Sequence, residues 1–295
     1  MNEIFDRLLI RVLLVGVILA VMMIYNLGHY VLYPTVKGQV KKRLNPAENP
    51  ADTLHLFSRL TGFVIVLSSL RFDESHGVLL SIFHILVWGT LTSGLYLISL
   101  FLIESIVLYN FDYKDEILKR RNLTYALVCT AHALAIAHVT RIVIDQSESS
   151  LVILFLLWLL AMVIMGFGSK YYQLLSKLPF NSMVTNQNPS VAVSYLGFTL
   201  GLGWLVGESF NQEHFDVTVY CIQVMLKVLL SLIIYPLFRK GLRFLFKADK
   251  VDIHQQIDHY NWGSGVYECA LFLTSAVLTS MIVNHIQFGT IYPFF

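Results

Sequence analysis

The sequence predicts an all-α, polytopic membrane protein of eight transmembrane helices, arranged as four parallel two-helix repeats. Three observations carry this prediction. The 295-residue chain is 56% hydrophobic and only 14% charged, with mean hydropathy +0.65, which is membrane-like and outside the range of soluble domains. Eight apolar stretches, roughly 8–33, 55–70, 77–109, 122–144, 150–168, 189–207, 216–237 and 262–286, reach or approach the about 20 residues that a spanning helix needs. And one pattern, an Asn followed by small residues at fixed offsets, occurs four times.

The elements follow in order. Leu8–Tyr33 is too long for a signal-peptide core and no small-residue cleavage site follows it, so it reads as the first span. The second stretch is the shortest and carries Arg59. From there a long stretch, a basic linker and an Asn-opened stretch alternate to the end. The four openings are Asn49, Asn122, Asn188 and Asn261, spaced 73, 66 and 73 residues apart. Four residues on stand Thr53, Ala126, Ala192 and Gly265; nine on, Ser58, Ala131, Gly197 and Ala270; thirteen on, Gly62, Ala135, Gly201 and Thr274. A near-constant spacing with recurring small positions marks a repeated unit. Asn is a favoured helix N-cap with Pro favoured next, as in Asn49-Pro50 and Asn188-Pro189, so capping is the expected role of all four. Gly62, the pair Gly197 and Gly201, and the pair Gly203 and Gly207 are expected where helices approach closely.

Charge sets the orientation. The linkers 34–54, 111–121, 169–187 and 238–260 hold 15 of the 21 Lys and Arg residues. The alternate linkers 71–76, 145–150 and 207–216 hold Arg71 against Asp73, Glu74, Asp145, Glu148, Glu208, Glu213 and Asp216. The positive-inside rule places the basic set in the cytoplasm, and eight spans then leave both termini external. The basic linkers are expected to meet the anionic inner leaflet. Phe238–Phe246 (FRKGLRFLF) reads either as an interfacial helix or as a helix end with snorkelling cations. No basic-aromatic patch points to nucleic acid.

Two blocks carry a resemblance: Tyr113-Lys-Asp-Glu-Ile-Leu-Lys-Arg-Arg-Asn-Leu-Thr-Tyr-Ala126 and Asn188-Pro-Ser-Val-Ala-Val-Ser-Tyr-Leu-Gly-Phe-Thr-Leu-Gly201. They resemble domain of unknown function 350, the YjfL-like bacterial inner-membrane proteins. The resemblance covers nearly the whole chain and implies two fused domains, residues 1–147 and 148–295, each of two hairpin repeats. Repeat four departs from the pattern at Trp262 and Gly265, and repeat one at Asp52 and Arg59. The resemblance implies a multi-pass protein of the cytoplasmic membrane with a membrane-maintenance role. It implies no activity.

Ionisable groups inside spans are costly and functional by default. Counting about 1.5 Å per residue, Lys227 falls near the midplane, Arg59 and Glu268 part-way up from the inner face, and Glu104 near the inner end of its helix. His132 occupies in repeat two the place of Arg59 in repeat one; Phe198 and Leu271 occupy it in repeats three and four. The four repeats do not place the same charge at this position, which speaks against a symmetric ring, and an asymmetric buried cluster of Arg59, Lys227, Glu268 and His132 is expected. It reads either as an ion pair holding helices together or as a path for an ion or anionic group. A pairing of Glu268 with Arg59 or Lys227 would close the four hairpins into a bundle. Tyr171, Tyr172 and Trp262 read as interfacial anchors. Cys129, Cys221 and Cys269 lie within apolar stretches, and no CxxC, HxxxH or HExxH occurs, so no metal or other cofactor is expected. No nucleophile–base motif or phosphate loop occurs. The expectation is a non-enzymatic membrane scaffold or subunit with lipid and protein partners; the rival is a channel or transporter using the buried charges.

Overall fold

A computed structural model describes residues 46–70, 77–148, 150–212, 216–246 and 252–286, residue 288, and eleven residues between 8 and 23. The first span beyond residue 23, the first basic linker up to residue 45, and Asp73, Glu74 and Glu213 lie outside the described residues. The helices are α1 (Arg11–Ala20), α2 (Pro50–Leu67), α3 (Val78–Val107), α4 (Leu123–Gln146), α5 (Leu151–Ser176), α6 (Phe180–Thr185), α7 (Pro189–Phe210), α8 (Val217–Leu245), α9 (Ile253–Asp258) and α10 (Trp262–Val283). A π-helical turn, Lys114–Lys119, precedes α4.

Six of these helices, α3, α4, α5, α7, α8 and α10, are long and apolar enough to cross a membrane. The eight expected spans are therefore six among the described residues. The helix α2 falls short because it buries a polar face of Asp52, His55, Ser58 and Arg59 in 18 residues. One element order recurs three times: a long helix (α3, α5, α8), a short turn or helix (Lys114–Lys119, α6, α9), then an Asn-capped helix (α4, α7, α10).

The joint between short and capped helices repeats in detail. Arg121, Gln187 and Tyr260 have φ of 52°, 57° and 62°, a left-handed conformation that non-glycine residues seldom adopt. It ends the short helix and turns the next backbone N–H inward: Asn188 donates to the Met183 carbonyl at 2.9 Å and Asn261 to that of Gln256 at 3.0 Å. This is the six-to-one bond of a helix-ending motif. The wider π turn sends the Asn122 N–H to the Glu116 carbonyl, also at 2.9 Å. The same Asn then opens the next helix.

The capped helices form a row. Contacts run α2 to α4, α4 to α7 and α7 to α10, and the long helices pack alongside. Small residues permit this approach. A Cβ on Gly197 would lie 2.5 Å from the Cys269 carbonyl oxygen, one on Gly203 2.9 Å from Ala135 Cβ, and one on Gly207 2.7 Å from Ile142 Cδ1. On Gly201 it would meet Ala276 Cβ at 3.0 Å, and on Gly62 it would collide with the Tyr96 hydroxyl. At each of these glycines a neighbouring helix or side chain leaves no room for a Cβ without a shift.

Candidate functional site

Each capping Asn works in two directions. Its Oδ1 accepts a backbone N–H of its own helix: Asp52 for Asn49 at 3.1 Å, Tyr125 for Asn122 at 3.0 Å, Ser190 for Asn188 at 2.9 Å and Ser264 for Asn261 at 3.1 Å. Its amide nitrogen reaches forward. Asn49 donates to the Ile117 carbonyl at 2.9 Å, Asn122 to Val184 at 3.0 Å and Asn188 to Ile257 at 2.7 Å. Each acceptor lies in the short segment of the following repeat. Asn261 instead donates to the side chain of its own Gln256 at 2.8 Å.

Between these joints lie two buried polar clusters. The first gathers Asp52, His55 and Arg59, at i, i+3 and i+7 on one face of α2, with Glu104 of α3, Tyr113 and Cys129 of α4. Arg59 Nη2 donates to Glu104 Oε1 at 2.8 Å and Oε2 at 2.6 Å. The Tyr113 hydroxyl donates to Asp52 Oδ1 at 2.7 Å, and its ring lies 4.9 Å from that of His55. One donor atom each from His55, Glu104 and Cys129 lie within 4.8 Å of one another.

The second cluster pairs α8 with α10. Arg239 donates through Nη2 to Glu268 Oε1 and Oε2, both at 2.9 Å, and through Nε to Oε2 at 3.2 Å. Its Nη1 donates to the Leu175 carbonyl at 3.2 Å, and its guanidinium lies 4.5 Å over the Phe272 ring. Tyr172, Phe198, Tyr235 and Phe272 wall this pair with buried rings.

These positions correct four sequence expectations. Glu268 pairs with Arg239, and Arg59 with Glu104; neither Arg59 nor Lys227 reaches Glu268. Three helix-to-helix steps of about 8–10 Å separate α2 from α10, too far for an ion pair. Lys227 is only 6% exposed and has no ion pair among the described residues; twelve residues of α8, about 18 Å, separate it from Arg239. His132 lies within range of the Arg59 charge but contributes no ion pair among the described residues, its Nε2 lying 2.8 Å from the Tyr195 hydroxyl of α7. Tyr172 is fully buried and donates to Ser194 Oγ at 3.1 Å, so it is no interfacial anchor.

Arg239 and Cys129 were not singled out as cluster members by sequence. The seventh apolar stretch ends at residue 237, but α8 runs through Pro236 to Leu245; residues 238–245 are thus the tail of a long helix, and Arg239 points inward. A cleft of about 790 Å³, lined by His84, Trp88, Asp145 and Glu148 among others, opens at the start of α3 and the end of α4, away from the capped helix starts and from both clusters.

The family described as Domain of Unknown Function (DUF350) matches residues 4–144 and again residues 146–283. No curated protein and no solved structure matches the chain.

Proposed function

Since the chain belongs to the DUF350 family, two copies of which account for nearly its whole length, we propose that it is a non-enzymatic scaffold of the bacterial inner membrane that assembles head-to-tail with further copies of itself. One observation carries the reading. The small positions nine and thirteen residues past the Asn are buried in the first three repeats, as Ser58 and Gly62, Ala131 and Ala135, and Gly197 and Gly201; in the fourth, Ala270 and Thr274 are exposed. Conversely, the position fifteen residues past the Asn is buried as Ala137, Gly203 and Ala276, but in the first repeat Val64 is 44% exposed. The forward face of α10 and the backward face of α2 are thus the two halves of an interface the chain already makes three times. A contact of this kind is heterologous and closes into a ring or extends as a filament. The four repeats are taken as parallel, with their basic segments on the anionic inner leaflet.

Paired cysteines test the assembly. In a background lacking the native cysteines, Val64→Cys combined with Thr274→Cys gives a ladder of disulfide-linked chains in membranes, and either substitution alone gives none. A monomer only, or dimers from Thr274→Cys alone, overturns head-to-tail assembly.

Lys227 favours a second reading, passage of an ion or small solute, because a buried lysine with no carboxylate partner among the described residues suits a transient anion. Flux of small anions into vesicles holding the full chain, abolished by Lys227→Met, would support it. Equal flux in both proteins removes it.

A further inference from the structure

We propose that His55, Glu104 and Cys129 together bind one divalent transition-metal ion of the zinc class inside the first half of the helix row. The three side chains come from α2, α3 and α4, and their donor atoms lie within 4.8 Å of one another. Imidazole, carboxylate and thiolate are the donor types of tetrahedral zinc sites, with bonds of about 2.0–2.3 Å. Such bonds put donors roughly 3.3–3.8 Å apart, so side-chain movements of about 1 Å close the set on an ion. With three protein ligands, a fourth position stays open.

The surroundings fit ligands more than a plain core. Arg59 Nη2 bonds both oxygens of Glu104 and so fixes the carboxylate, while each oxygen keeps a second lone pair for the metal. The Tyr113 ring packs against His55 and its hydroxyl holds Asp52. A divalent ion binds here with loss of the Cys129 thiol proton to solvent.

The second half supplies an internal control. At the places of His55 and Cys129, six and seven residues past the Asn, it carries Ser194 and Glu268, and Glu268 is fully engaged by Arg239.

Cobalt(II) is the probe. The full-length protein with Cys221→Ser and Cys269→Ser, purified in detergent and stripped with chelator, leaves Cys129 as its one thiol. We expect one cobalt per chain, a near-ultraviolet thiolate-to-cobalt absorption, tetrahedral visible bands, and about one proton released per ion. Zinc displaces the cobalt and raises the thermal midpoint. His55→Gln in this background weakens binding by 10-fold or more, on the order seen when metal-site partners are lost. Absence of the thiolate band in the single-cysteine protein overturns the proposal. Persistence of that band at unchanged affinity in His55→Gln overturns the three-ligand set. Because the decisive measurement retains Cys129, misfolding of a Cys129 variant cannot obscure it.

Discussion

The two halves of the chain bury the same kind of ion pair with opposite wiring. In the first half the arginine stands on the Asn-capped helix and the glutamate on the long one, as Arg59 and Glu104. In the second half the glutamate stands on the capped helix and the arginine on the long one, as Glu268 and Arg239. Arg59 lies ten residues past its Asn and Glu268 seven, one turn apart on the same helix face. What both halves share is therefore a neutral pair clamping capped to long helix, not the sign at either place. The surroundings differ more. Rings wall the second pair, whereas imidazole, thiol and a second carboxylate share the first.

Breaking the pairs sharpens this contrast most. Glu268→Gln leaves Arg239 buried among rings without its carboxylate and should cost about 3–5 kcal/mol, read as a lower thermal midpoint in detergent. Glu104→Gln should cost less, because that carboxylate is 12% exposed and Arg59 shares its cluster with Asp52. Equal losses would mean that the surroundings do not matter. Replacing both Arg239 and Glu268 by Met should restore most of the stability lost in the single variant.

Packing comes next. Gly197→Ala drives a methyl group against the Cys269 backbone and should destabilise by about 1–3 kcal/mol. At the same offset the first half already carries Ser58 and Ala131. Gly94→Ala meets nothing within 4 Å and should stabilise α3 by about 0.5–1 kcal/mol. A neutral Gly197→Ala would show that α7 and α10 can slide apart.

The caps give a smaller, graded effect. Asn188→Ala removes a cap and a buried forward bond and should cost about 2 kcal/mol; Asn261→Ala removes an exposed cap and should cost about 1 kcal/mol. Urea midpoints of the two variants should differ accordingly, and coincident midpoints would deny the forward bond any weight.

The smallest effect is on pH. Burial, with the Arg239 and Arg243 charges adding, holds His254 of α9 below the ordinary histidine value of 6.5, and Glu268 and Asp252 oppose this. The unfolded chain therefore takes up the proton first. Stability from this residue is present above pH 6.5 and falls as the pH drops below it. His254→Gln should flatten the stability profile in that window; an unaltered slope would assign the acid sensitivity elsewhere.

What the sequence disclosed follows from range. An N-cap is an interaction over two or three residues, so the four Asn residues could be read singly, and repetition made the small positions stand out. Arg59, Lys227 and Glu268 were recognisable as buried charges because composition alone exposes an ion in an apolar run. Their partners were hidden, since Glu104 and Arg239 lie on other helices and periodicity along one helix carries nothing about its neighbour. The left-handed Arg121, Gln187 and Tyr260 were hidden too, for none is the glycine that usually marks such a turn. His55, Glu104 and Cys129 come from three helices, so no spacing rule could gather them.

The forward-reaching amides also impose an order in time. A chain made from its N-terminus presents Asn49 before Ile117, Asn122 before Val184 and Asn188 before Ile257. Each of the first three units leaves the ribosome with a donor whose acceptor has yet to be synthesised, and its joint is completed by its successor. The first three joints can therefore close only in chain order, each after the next unit has been made. The last unit, whose Asn261 turns to its own Gln256, needs no successor to finish its joint.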